Sequence, residues 1–202
     1  MSFIDRSPEA DWPRDMAISV AQPSTLYLLL FVRSAWGLDH NCVPPLDVEP
    51  APGTTAPPAG FDRPAANARW ADDWARAFEA VVPSIARTSG PDAATRELLD
   101  GDSSLDELMH AVSTEAFWRI GLDLEAEWEW RRDPPRPWRP GSLSPEHDVV
   151  EWLVPVWRTG LTTIVELPFA GYYATRIGRR HAVISRVTRR DPELYSIALS
   201  TF

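Results

Sequence analysis

The sequence predicts an α+β fold, with several helices packed on a small mixed or antiparallel sheet that ends in a C-terminal β-hairpin and a terminal helix. Three observations predict it. Residues 66–82 repeat apolar side chains at helical spacing, and residues 161–187 hold three strand-like runs. Helices and strands show neither a regular βαβ alternation nor a fixed-period repeat. With 202 residues, 44% of them hydrophobic, and ten tryptophans, one core suffices. Residues 1–202 are therefore expected to form a single globular domain with a Pro-rich loop at about 43–65.

In chain order, Met16-Ala17-Ile18-Ser19-Val20 reads as a short strand. The run Leu26 to Val32 is apolar at all seven positions and has no periodicity to separate a buried strand from a helix opening at Ser24. Its brevity and its Leu, Tyr and Phe content lean to strand, and either way it belongs to a core. Residues 43–65 hold seven prolines among Gly53, Thr54, Thr55 and Gly60, the composition of a linker or surface loop. Trp70, Trp74, Phe78, Val81 and Ile85 then mark one face of a helix from Ala66 to about Val82, limited by Pro83. A short helix follows from Asp92 to Leu99. Ser104 with Glu107 forms a capping box ahead of Leu105, Leu108, Met109 and Val112.

From Leu122 to Trp130 apolar and acidic residues alternate without a break, the pattern of a strand with one buried face. Such a strand sets Asp123, Glu125, Glu127 and Glu129 in a carboxylate ladder opposite Trp128 and Trp130; a helix spreads the same acids over a broad surface. Pro134, Pro135, Pro137 and Pro140 make the next stretch a loop. Ser144 as N-cap, Pro145 in the first turn and Glu146 behind it open a helix that Pro155 limits. Leu161–Leu167 is a strand by its β-branched content, and Tyr172–Ile177 and His181–Val187 form a hairpin about Gly178-Arg179-Arg180. Asp191-Pro192-Glu193 opens the terminal helix.

Composition narrows the function. The longest apolar run is far short of the roughly 20 residues of a membrane-crossing helix, so no membrane partner is expected. Asp5, Glu9, Asp11 and Asp15 stand where a signal peptide needs a basic start. The single cysteine, Cys42, makes no internal disulfide and fits a reducing compartment, so a cytoplasmic location is expected. All twenty basic residues are arginine, a coding bias that suggests a high-GC bacterium or its phage. The net charge is −9, with 2 arginines against 11 acids over residues 91–130 and 6 against 2 over residues 176–202. An acidic chain repels phosphate backbones at long range, so nucleic acid is not expected as a partner.

Four constellations remain. The ladder Asp123, Glu125, Glu127 and Glu129 suits a basic partner or the chain's own arginines. Trp138, between Pro137 and Arg139, is the candidate aromatic anchor in a loop. Arg176, Arg179, Arg180, Arg186, Arg189 and Arg190 with His181 offer forks for phosphate or carboxylate, with Arg179 and Arg180 at the hairpin tip. Glu107 and His110 at i, i+3, with Glu146, His147 and Asp148, are the ligand-like groups of a metal-dependent or hydrolytic enzyme; Asp39-His40 with Cys42 is a further cluster. No zinc spacing, G-x-S-x-G elbow or phosphate-cradling glycine loop occurs, and no cofactor is expected. The leading expectation is a non-enzymatic protein-interaction or adaptor module with a charge-polarised surface, its contacts made by Asp123, Glu125, Glu127, Glu129, Trp138, Arg179 and Arg180. A metal-dependent or hydrolytic enzyme and a phosphate or nucleic-acid binder stay open beside it, and the oligomeric state is not fixed.

Overall fold

The computed structural model describes residues 12–39, 43–47, 52, 55–82, 112–132 and 144–202. Among them, eight helices accompany a four-stranded mixed sheet, the α+β architecture that the pattern predicts. The chain divides into two compact units. None of the helices among the described residues is long and apolar enough to cross a membrane.

The sheet unit contains β1 (Ser19–Ala21), α5 (Pro145–Asp148), α6 (Val150–Arg158), β2 (Thr163–Leu167), β3 (Ala174–Ile177), β4 (His181–Ser185), α7 (Arg186–Arg190) and α8 (Pro192–Ser200). Its strand order is β1-β2-β4-β3. β1 and β4 flank β2 in parallel, Val20 opposite Ile164 and Val165 opposite Val183, while β3 closes an antiparallel hairpin on β4 with Ile177 opposite His181. The expected strand over 161–167 forms from Thr163 to Leu167, and the expected hairpin forms, but its second strand stops at Ser185 rather than Val187, because Ser185 caps α7 through Thr188 N. Met16, Val149, Leu153, Val156, Leu161, Ile164, Ile184, Tyr195 and Leu199 form its core, so α6 and α8 cover the sheet face that carries Ile164 and Ile184.

The helix starts in this unit follow the expected chemistry. Ser144 Oγ accepts from His147 N at 3.2 Å, and Asp191 Oδ1 accepts from Glu193 N at 2.9 Å and Leu194 N at 3.2 Å. Pro145 and Pro192 occupy first turns, where the missing N–H costs nothing. One expectation is corrected: α6 runs through Pro155 to Arg158, giving up one internal bond, and stops at Gly160, whose φ is +112°.

The helical unit contains α1 (Ser24–Ala35), α2 (Arg63–Val81), α3 (112–118) and α4 (Leu124–Arg131). The strand leaning of residues 26–32 is overturned, because all seven lie within α1 and are fully buried. A helix apolar all round is a central helix, and four leucines with only one β-branched residue, Val32, favour that outcome. α2 opens at Asp62, whose carboxylate caps Ala65 N at 3.3 Å, and ends before Pro83 as expected. It is locked to α1 by Trp70 Nε1, which donates to Leu29 O at 2.7 Å in the buried interior. Arg33 ties α1 to the following chain through Val43 O at 3.0 Å and Pro44 O at 2.7 Å. The expected helix over 92–99 and the capping box at Ser104 and Glu107 lie outside the described residues.

Candidate functional site

The alternating run is a helix, not a strand, and this corrects the ladder. Asp123 caps α4 with Oδ1 accepting from Glu125 N at 3.1 Å and Ala126 N at 3.0 Å. Glu125 and Glu127 then lie in the first turn and Arg131 in the last, each on the side the helix dipole favours. Helical geometry scatters the four acids. Glu127 and Trp130, three apart, turn inward; Trp130 packs its ring on Tyr27 and Phe31 of α1 at centroid distances of 5.9 and 5.6 Å. Glu127 is buried, and its Oε1 has no hydrogen-bond partner among the described residues.

The outward face carries Leu124 and Trp128, one turn apart, with Asp123, Glu125 and Glu129 exposed around them. The Arg132 guanidinium carbon stands 5.1 Å from the Trp128 ring centroid, a cation–π contact at the C-terminal end of the face. Trp128, set on the buried side by the strand reading, is exposed, as is Trp152 of α6. Of the four acids expected at a partner surface, Asp123, Glu125 and Glu129 are exposed and Glu127 is not. Trp138 lies outside the described residues.

The arginine-rich end has a different use. Arg189 donates through Nε to Glu146 Oε1 at 2.7 Å, through Nη2 to Glu146 Oε2 at 3.1 Å, and through Nη1 to Glu166 Oε2 at 2.6 Å. Arg186 Nε lies 3.7 Å from Glu166 Oε1, and Tyr195 Oη donates to Glu146 Oε1 at 3.4 Å. Glu166, Glu146, Arg186 and Tyr195 are all buried, so this is an ionic knot inside the sheet unit, joining α5, β2, α7 and α8. Burial pushes the Arg189 pKa down, but the Glu146 hydrogen bonds and the charges of Glu146 and Glu166 outweigh it and leave the pKa above the usual arginine value. Burial, then the Glu146 charge, holds the Tyr195 phenol well above its ordinary value, so it stays protonated as a donor.

The other arginines staple backbone. Arg176 donates to Phe202 O and Arg179 O, each at 2.8 Å, and Arg179 Nε donates to Thr159 O at 2.9 Å. Arg180 Nε reaches Thr162 Oγ1 at 3.5 Å. Arg179 and Arg180 remain exposed at the hairpin tip, but Arg186 and Arg189 are withdrawn from any phosphate surface.

The metal-ligand grouping comes apart for the same reason. Both Glu146 oxygens accept from Arg189, while His147 faces the other way and stacks on Trp12 with centroids 5.7 Å apart and planes 6° from parallel. Asp148 is exposed. Glu107, His110, His40 and Cys42 lie outside the described residues, among which no group of three or more His, Cys, Asp or Glu is placed to hold a metal ion. Sequence reasoning missed Glu166 and Tyr195. The signal for the first was present, since one carboxylate inside the run Thr163-Ile164-Val165-Glu166-Leu167 needs a buried cation. Compared with models of protein families, with curated proteins and with solved structures, the chain matches none.

Proposed function

We propose that the protein is a non-enzymatic interaction module that docks a protein partner on the outer face of α4, and that the partner presents a basic amphipathic segment there. The observation that carries this reading is the pair Leu124 and Trp128, 45% and 54% exposed on one helix face and ringed by Asp123, Glu125 and Glu129. Tryptophan is enriched at the centres of interfaces, where it supplies large apolar contact at small entropic cost. The surrounding carboxylates select the sign of the partner: they steer a cationic segment in and repel an acidic one. Arg132 over the Trp128 ring holds the indole in one orientation before contact.

The proposal rests on the α4 residues alone; Arg179 and Arg180 bond Thr159 O and Thr162 Oγ1 within the sheet unit. The single cysteine, the absence of lysine and the acidic charge fit a cytoplasmic bacterial setting, which belongs to the same reading. The test is affinity capture from the native lysate with nuclease present, at low and high salt, comparing wild type with Leu124→Ala/Trp128→Ala and Glu125→Gln/Glu129→Gln. A stoichiometric basic protein is expected with wild type, reduced at least about tenfold by the apolar pair, as for interface hot spots. The carboxylate pair should lose the salt dependence. Equal recovery by all three proteins overturns the reading.

A further inference from the structure

The helical unit contains a second feature, built from other residues than the α4 face. Trp36, Phe61, Phe117, Trp118 and Ile120 line a cavity of about 350 Å³ beside the first turns of α2. Its rings brace one another: Trp36 meets Phe61 at 5.3 Å and 70°, Trp36 meets Trp118 at 5.8 Å, and Phe117 meets Trp118 edge-on at 5.0 Å and 89°. Trp118 is fixed further by Nε1 donating to Asp73 Oδ2 at 2.8 Å. The walls are therefore preformed and apolar, of a size that takes a small molecule.

Polar groups at the wall give the ligand its sign. Arg69 lines the cavity, with its guanidinium carbon 3.4 Å from the Phe117 ring centroid and its Nε on Asp73 Oδ2 at 3.3 Å. Those two contacts fix the plane of the guanidinium, yet Nη1 and Nη2 have no partner among the described residues, and the side chain is 43% exposed. A fixed guanidinium with both amino groups unspent fits a carboxylate. Trp36 Nε1 behind the wall is sealed from solvent and has no acceptor among the described residues. Such orphans are rare in folded proteins. The carboxylate in the wall, Asp62, caps α2 through Ala65 N, where the helix dipole offsets its charge.

We infer that this cavity is a binding site for a small aromatic carboxylate, its ring against Phe61 and Ile120 and its carboxylate on the Nη groups of Arg69. The site does not depend on the docking face, and either can fail without the other.

The test uses the full chain, 1-naphthoate and its neutral counterpart 1-naphthalenemethanol, read by the indole N–H resonances in ¹⁵N NMR. Saturable shifts of Trp36 and Trp118 with 1-naphthoate are expected, with the alcohol binding about tenfold more weakly for want of the charged contact. Arg69→Gln should erase that difference. Since Arg69→Gln also disturbs Asp73, a second variant keeps the assignment open to refutation: Ala65→Phe, at an exposed α2 position in the cavity wall, should block both probes by at least about tenfold while leaving the fold intact. No saturable shift of either indole at millimolar 1-naphthoate overturns the site. Equal affinity for acid and alcohol overturns the carboxylate, and undiminished binding by Ala65→Phe overturns the location.

Discussion

Arg189 and Glu146, forty-three residues apart, meet through two parallel hydrogen bonds of 2.7 and 3.1 Å, and the third arm of the same guanidinium reaches Glu166 at 2.6 Å. Arg189 thus bridges two carboxylates that α5 and β2 carry into the interior, and Arg186, 3.7 Å from Glu166, supplies the second positive charge. The pairing explains how a chain with an arginine-rich end and a carboxylate inside a central strand buries both. It also removes residues from two chemical readings at once, the phosphate surface and the metal site.

Breaking the knot from one side should be costly. Arg189→Met leaves Glu146 without its cation and Glu166 with Arg186 alone, and a loss of about 3–5 kcal/mol is expected in denaturant unfolding. Adding Glu146→Gln to the same chain should recover part of that loss, because it removes the unpaired charge and leaves Glu166 opposite Arg186. A single-variant loss below about 1 kcal/mol, the range of exposed pairs, would contradict the burial described.

Glu127 offers the opposite expectation. Its buried Oε1 lacks a partner among the described residues, which leaves that oxygen's desolvation cost unoffset by them. Glu127→Met keeps the length of the side chain and should raise stability by about 1 kcal/mol, read as a higher denaturation midpoint. A destabilised variant would show that the carboxylate is satisfied after all.

His181 sets a pH dependence. Burial, then the Arg180 charge, holds its pKa below the ordinary 6.5. Between that lowered value and 6.5 the unfolded chain binds more protons than the folded one, so stability rises with pH across this window and is lost as pH falls through it. His181→Gln should flatten this part of the stability profile. An unchanged slope would assign it to another group.

Gly160 is required by space as well as by its backbone. With φ at +112°, a Cβ there would stand 2.6 Å from Arg179 Nε and 2.8 Å from its Cγ. Gly160→Ala should cost about 1–3 kcal/mol from backbone strain, and Arg179→Ala in the same chain should relieve only the steric part. Complete recovery in the double variant would place the whole cost in the clash.

Local chemistry was the legible part of this sequence. The caps at Ser144 and Asp191, the prolines behind them, the strand that forms at Thr163–Leu167 within the expected 161–167 and the Gly178-Arg179-Arg180 turn all depend on neighbours a few residues away. The runs 26–32 and 122–130 misled because their patterns have two solutions. An unbroken apolar run fits a buried strand or a central helix, and nine residues of period-two alternation fit a helix once Asp123 caps it. The first-turn acids Glu125 and Glu127 could have decided the second case. The ionic knot was hidden because Glu146, Glu166 and Arg189 are distant in sequence, and only the lone carboxylate in β2 hinted at it. The expected sites at Glu107, His110 and Trp138 lie outside the described residues.

The docking face is tested most directly by photo-crosslinking from within it. A photoreactive residue replaces Trp128 in one protein and Trp152, an equally exposed tryptophan of the sheet unit, in another. Both are irradiated in native lysate, and crosslinked partners are identified. The account predicts one dominant basic protein from position 128, diminished at high salt and absent from position 152. The same adducts from both positions, or a partner at 152 with none at 128, would contradict it.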